Sequence, residues 1–203
     1  MAEPASPQLY LVTPQHFEID TFATTLARVL DAREIACLRL SVSADDPDHA
    51  RRAADRLRDV AHARDVAVVA TDHAALIDPH GLDGIHLSDG PGRVRDLRKQ
   101  LGADRIVGAM CGQSRHSGMT AAEIGADYVS FGPAEDNGLG DEIVEDALFQ
   151  WWSEMIEVPQ VAEGILTAAT AAKLSPIVDF IALGGPIWAA DDPLEAIDTL
   201  LTG

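Results

Sequence analysis

Asp65-Val66-Ala67-Val68-Val69-Ala70 decides the fold. After its opening aspartate the run carries no polar side chain, so both faces of the extended chain are apolar. A strand wetted on one side alternates apolar with polar, whereas a strand buried under helices does not. On its N-terminal side lies 47–63, a helical stretch rich in Arg and Ala, and on its C-terminal side a short helical piece starts at His73. The same alternation continues in both directions. Strands are expected at 8–13, 36–42, 84–87, 106–110, 127–131, 160–162 and 180–183, separated or followed by helical stretches at 20–32, 93–101, 116–124, 142–156, 168–174 and 193–201. In the first of these helices Phe22, Leu26, Val29 and Leu30 share one face. Strands that alternate with helices call for parallel pairing and right-handed crossovers. The expected fold is therefore α/β, a TIM (β/α)8 barrel, as a single domain over 1–203; periodicity alone leaves a doubly wound sheet open. No linker or low-complexity tract divides the chain, and no GxGxxG fingerprint follows the first strand.

Charge and composition narrow the partners. The 203 residues carry a formal charge of −18, with 33 Asp and Glu against 15 Lys and Arg. Without a basic stripe the chain is not expected to bind nucleic acid or an anionic membrane surface. A single phosphate is a different matter, because a few cations and backbone N–H groups suffice to hold one. Cys37 and Cys111 lack metal-ligand spacing and read as reduced thiols. The opening residues 1–8 are polar and Pro-rich, and no apolar run approaches the ~20 residues that span a bilayer. The expected location is cytoplasmic.

In a barrel of this kind ligands bind where the strands run out into the following loops. Gly184-Gly185-Pro186-Ile187 follows the last strand. Its glycines allow close backbone approach to an anion, and a short helix starting there would aim N–H groups at it. Gly164, after strand seven, is placed to complete that phosphate cradle; a plain tight turn is the alternative. Asp72 and Asp89 follow neighbouring strands and are candidates for a shared Mg²⁺, or else for a helix cap and a turn. His116, beside Arg115 in a polar loop, is either a proton shuttle or a surface histidine. His86 lies within strand four and is expected as a hydrogen-bonded interior side chain. Glu163, a carboxylate at the end of an interior strand, is expected either to pair with a cation such as Arg39 or to point into the pocket. The acidic residues Asp136, Asp141, Glu142, Glu145 and Asp146 read as a solvated face and helix start.

Taken together in their order and spacing, these segments resemble one family. Leu9-Tyr10-Leu11-Val12-Thr13, Cys37-Leu38-Arg39-Leu40-Ser41, Thr71-Asp72-His73, Gly84-Ile85-His86-Leu87, Gly125-Ala126-Asp127-Tyr128-Val129, Phe131-Gly132-Pro133 and the stretch from Asp179 to Pro193 are similar to the strand motifs of thiamine phosphate synthase and its relative TenI, the thiazole tautomerase. The resemblance covers nearly the whole chain. It implies a barrel, usually a homodimer, that joins an aminopyrimidine pyrophosphate to a thiazole phosphate and releases pyrophosphate with Mg²⁺. It also implies that Arg39 meets the second anionic group and that Thr71 contacts substrate. Several family positions differ. The motif glutamine and lysine of strand two are Cys37 and Ser41, the asparagine before Asp72 is Thr71, and the second metal aspartate falls by spacing on Pro91, two residues beyond Asp89. The lysine-bearing loop after strand six is replaced by Glu135-Asp136-Asn137-Gly138. Arg115 is the candidate to supply a missing cation. Two further functions follow from the resemblance: a tautomerase using His116, and a paralogue that binds a small phosphorylated ligand without catalysis.

Overall fold

The computed structural model describes residues 6–136, 142–165 and 167–202; Asn137, Gly138 and Asp141 of the acidic loop lie outside the described residues. Eight strands form a closed parallel barrel in sequential order: β1 (Gln8–Val12), β2 (Ile35–Leu40), β3 (Ala67–Thr71), β4 (Gly84–Leu87), β5 (Ile106–Met110), β6 (Tyr128–Phe131), β7 (Gln160–Ala162) and β8 (Phe180–Leu183), with β1 pairing to both β2 and β8. The doubly wound alternative is thereby excluded. Around the barrel run α1 (Ile19–Ala32), α2 (Pro47–His62), α3 (Ile77–His80), α4 (Val94–Leu101), α5 (Arg115–Glu123), α6 (Asp146–Met155), α7 (Ala168–Leu174), α8 (Gly185–Trp188) and α9 (Pro193–Thr202). None of the helices described is long and apolar enough to cross a membrane.

Local chemistry sets the helix starts. Asp46 accepts the His49 N–H, with Pro47 at the first helical position of α2; Ser114 accepts the Ser117 N–H at α5; Thr167 accepts the Thr170 N–H at α7. The helix expected from Glu142 begins four residues later than its sequence pattern suggests. The reason lies in Val144: its N–H bonds the Pro133 carbonyl at 2.8 Å and its side chain is buried, so the chain stays extended until it has been tied to the loop after β6.

The lower rim of the barrel is stapled by a repeated device. Asp83, Asp127 and Asp179 each immediately precede an even-numbered strand, and each carboxylate accepts an N–H from the strand before it: Val68, Val107 and Gln160, at 2.7, 2.7 and 2.8 Å. Strand starts that would otherwise need water are satisfied by the neighbouring crossover.

Inside the barrel the strands contribute Tyr10, Cys37, Val69, Tyr128, Val161 and Ala182, which pack as one cluster distinct from the larger shell between sheet and helices. Two rings fit on one level because β5 supplies no side chain there. Gly108 pairs with His86 on one side and Tyr128 on the other, and a Cβ on Gly108 would lie 2.0 Å from the Tyr128 ring. Gly108→Ala is therefore expected to cost about 1–3 kcal/mol by overpacking, measured as a lowered urea midpoint at unchanged slope.

Candidate functional site at the barrel mouth

Alternation along β2, β4 and β6 turns Arg39, His86 and Tyr128 inward, and the chain leaving β7 brings Glu163 to meet them. Arg39 donates from Nη1 to Glu163 Oε1 and from Nη2 to Oε2, both at 2.7 Å, a bidentate pair whose side chains are only 10% and 12% exposed. Nη1 also lies 2.9 Å from His86 Nε2. A guanidinium only donates, so His86 Nε2 accepts and the ring proton sits on Nδ1. From there it donates to Tyr128 Oη at 2.9 Å, and Tyr128 and Tyr10 share a hydroxyl contact of 2.7 Å. A continuous polar column thus runs from the mouth down into the barrel.

The electrostatics follow from this packing. Burial and the Arg39 charge drive the His86 pKa down to about 3, so the ring is neutral. Glu163 goes the other way from an ordinary buried acid. Desolvation raises it, but the Arg39 charge and hydrogen bonds, with help from His86 and Ser130, bring it to about 2. Burial pushes the Cys37 and Cys111 thiols up to about 12 each, which makes them inert packing groups. Both cysteines are free, as expected from the sequence.

Above the column opens a cavity of about 670 Å³, lined by Arg39 and Glu163 together with Ser41, Thr71, Asp72, His73, His86, Ser88 and Met110, with Gln15 and residues 42–45 on one side. Arg39, Thr71 and Asp72 thus meet in one place, as the sequence suggested. Thr71 Oγ1 and Arg39 Nε are buried without a partner among the described residues. Of the two outcomes open for Glu163, the structure combines both: it pairs with Arg39 and also lines the pocket. His86 is the hydrogen-bonded interior side chain its position implied.

Other candidates fall elsewhere. Arg115 lies over the Trp151 ring, 4.7 Å from its centroid, and bonds the Ala147 carbonyl at 3.3 Å; it is directed to α6 and does not line the mouth cavity. His116, one residue on in the exposed first turn of α5, does not line it either. Gly184 lines a separate cavity of about 410 Å³ with Ile165, Leu183, Pro186 and Ile187, and α8 is pinned to β1 by a Trp188 Nε1 bond to the Val12 carbonyl at 2.7 Å. Gly185 has open space where a side chain would be, whereas Gly164 has φ +75° and lies against Pro133. Beyond β6, Glu135 accepts from both the N–H and the hydroxyl of Thr167 at 3.0 Å, and Gln113 bonds Glu142. The described acidic residues of this loop thus tie neighbouring loops together in addition to facing water.

Asp72 and Asp89 do converge, but on a cation of the chain itself. Arg93 Nη2 bonds Asp72 Oδ1 at 2.5 Å and Asp89 Oδ1 at 3.0 Å, and its Nε bonds Asp89 Oδ2 at 3.2 Å. The Ser88 hydroxyl takes the remaining Asp72 oxygen, and the Ser88 N–H also points at Asp72. All four carboxylate oxygens therefore face donors, and no group of three or more metal-ligating side chains exists among the described residues. In this arrangement a Mg²⁺ ion would reach the two carboxylates only by displacing Arg93. Neither Arg93 nor the Tyr10–Tyr128 hydroxyl pair was singled out in the sequence. The period-2 register that makes Tyr10 and Tyr128 inward is a usable signal, whereas Arg93 enters the sequence reading only as the first residue of the helical stretch 93–101.

Comparison with known proteins agrees with this architecture. The family model described as thiamine monophosphate synthase matches residues 9–187. The thiamine-phosphate synthase of Rhodospirillum centenum is 42% identical over 185 residues, covering 89% of each chain, and that of Erythrobacter litoralis is 36% identical over 200 residues, covering 95% of this chain and 93% of its own. Among solved structures, the thiamine phosphate pyrophosphorylase of Pyrococcus furiosus superposes with a TM-score of 0.78 at 20% identity, over 95% of this chain and 93% of that one, a likeness of fold. With the match running from the first strand to the helix after the last, the same span that closes the barrel, this chain belongs to the thiamine monophosphate synthase family.

Proposed function

We propose that this protein joins an aminopyrimidine pyrophosphate to a thiazole phosphate. In this reading the bond between the pyrimidine methylene and the pyrophosphate oxygen breaks, the pyrophosphate leaves with that electron pair, and the thiazole nitrogen supplies the pair for the new C–N bond. The observation that carries it is the polar mouth cavity, which gathers Arg39, Thr71, Asp72 and Ser88 at the carboxyl ends of β2, β3 and β4, where barrels place their chemistry. Of its carboxylates, Asp45 suits a methylene that becomes cationic as the leaving group departs, Glu163 and Asp72 being held by Arg39 and Arg93. Backbone groups at Gly164, Gly184 and Gly185 are the candidates to hold the thiazole phosphate. Thr71 contacts the pyrimidine substrate, and Arg39 faces the departing anion across its pair with Glu163. A homodimer and a cytoplasmic location accompany this reading, the former testable by light scattering.

Purified protein supplied with both substrates and MgCl2 is expected to release pyrophosphate, and Arg39→Ala to lower the rate by about 10²-fold or more, assayed where circular dichroism shows the variant folded. One observation favours a second reading. Because Arg39 is already held bidentately by Glu163, a protein that binds thiazole phosphate without turnover is the alternative. Calorimetric heat with thiazole phosphate together with no pyrophosphate release would establish it. The tautomerase reading has less support, because His116 is not among the residues that line the mouth cavity.

A further inference from the structure

We infer that the guanidinium of Arg93, in place of a divalent metal ion, is the resident counter-ion of the Asp72–Asp89 pair at the rim of the barrel mouth. The two carboxylates come from the ends of neighbouring strands and would repel one another if left alone. Arg93 sits between them and bonds both, and among the described residues no second cation is bonded to either carboxylate. A planar fork of N–H donors is suited to spanning two acids in this way, where an ammonium offers only a point charge.

Backbone geometry supports the arrangement. Asp72 takes a left-handed conformation, φ +56°, which turns its side chain towards Ser88 and Arg93. Gly90, φ +93°, lets the chain turn between Asp89 and a short 3₁₀ turn over Pro91–Arg93, so that Arg93 comes back over Asp89 four residues earlier. The side chains involved are one-third to three-fifths exposed, so the pairs are individually modest and exchangeable. Arg93 thereby sets how strongly the rim attracts a divalent ion: the ion must first displace a tethered competitor.

The test measures metal binding with no substrate present, so its result is independent of whether the protein is a synthase. Mn²⁺ is titrated at low ionic strength against the wild type, Arg93→Gln, Arg93→Lys and Arg93→Gln/Asp72→Asn, and free Mn²⁺ is read by electron paramagnetic resonance. Removing two exposed ion pairs is expected to tighten Mn²⁺ binding by about fivefold or more in Arg93→Gln. The gain should be abolished in the double variant and smaller in Arg93→Lys than in Arg93→Gln, since lysine keeps the charge but not the fork. Equal affinity of Arg93→Gln and wild type would overturn the inference, as would a gain that survives loss of Asp72.

Discussion

Glu163→Gln is expected to lower the free energy of unfolding by about 3–5 kcal/mol, because it leaves a buried guanidinium without its counter-charge. The pair is bidentate, both side chains are nearly enclosed, and among the described residues the other side chain bonded to the Arg39 guanidinium is the neutral His86 ring. Urea denaturation at pH 7 measures it. Replacing both partners, Arg39→Met with Glu163→Leu, is expected to recover most of the loss, since two apolar side chains avoid the desolvation that the pair must offset. A loss below about 1 kcal/mol in the single variant would mean that the pair behaves like a solvated surface bridge. The pH dependence has a definite sign. The carboxyl is depressed from 4.5 to about 2, so its contribution is complete above 4.5 and is lost as pH falls towards 2. In Glu163→Gln that segment of the acid-unfolding curve should be missing.

His86 gives the second large effect, at milder pH. Its folded pKa is about 3 against an ordinary 6.5, owing to burial first and the Arg39 charge second. The unfolded chain therefore takes up this proton well before the folded one. Stability is complete above 6.5 and is lost as pH falls through the window down to about 3, by a total on the order of 5 kcal/mol. Between 6.5 and about 5, where carboxylates contribute little, one proton accounts for about 2 kcal/mol. His86→Gln keeps an acceptor for Arg39 and a donor for Tyr128 but does not titrate. Its stability is expected to be flatter than the wild type over that interval by this amount, measured by urea titrations at several pH values. Parallel curves for the two proteins would show that His86 titrates in the folded state as it does in the unfolded chain, so that Nε2 is not tied up as the acceptor of Arg39.

Both predictions concern a buried column of which only Arg39 is a catalytic candidate in the sequence. Arg39 lies in a motif similar to the family's anion-binding strand, and Glu163 ends a strand next to a glycine that was a phosphate candidate. Their pairing means that an anion arriving at the mouth meets a guanidinium whose charge is already compensated. Asp72 and Asp89 show the same theme in opposite sign, with Arg93 as their cation. The mouth of this barrel is neutralised by its own side chains, and any ligand that binds there by charge does so by exchanging partners.

The architecture was legible in the sequence because it rests on period and order. Double-sided apolar runs such as Val66–Ala70 cannot face water, so β4, β5, β7 and β8 and the α7 helix begin and end where their patterns do. Membership of the family was legible for the same reason, being carried by short motifs at strand ends in fixed succession. What only the tertiary structure decided is which charges meet: the sequence left Glu163 open between a cation such as Arg39 and the pocket. Arg39 and Glu163 are 124 residues apart, and Tyr10 and Tyr128 are 118. Barrel closure brings them within hydrogen-bond distance, and no local spacing encodes it. Arg115 and His116 show the converse: a promising loop in sequence, of which Arg115 is taken up by the Trp151 ring of α6 and neither side chain lines the mouth cavity. Strand and helix positions follow from each residue's own preference for water or burial, whereas the partners of a charge depend on a closed surface that exists only after all eight strands have joined.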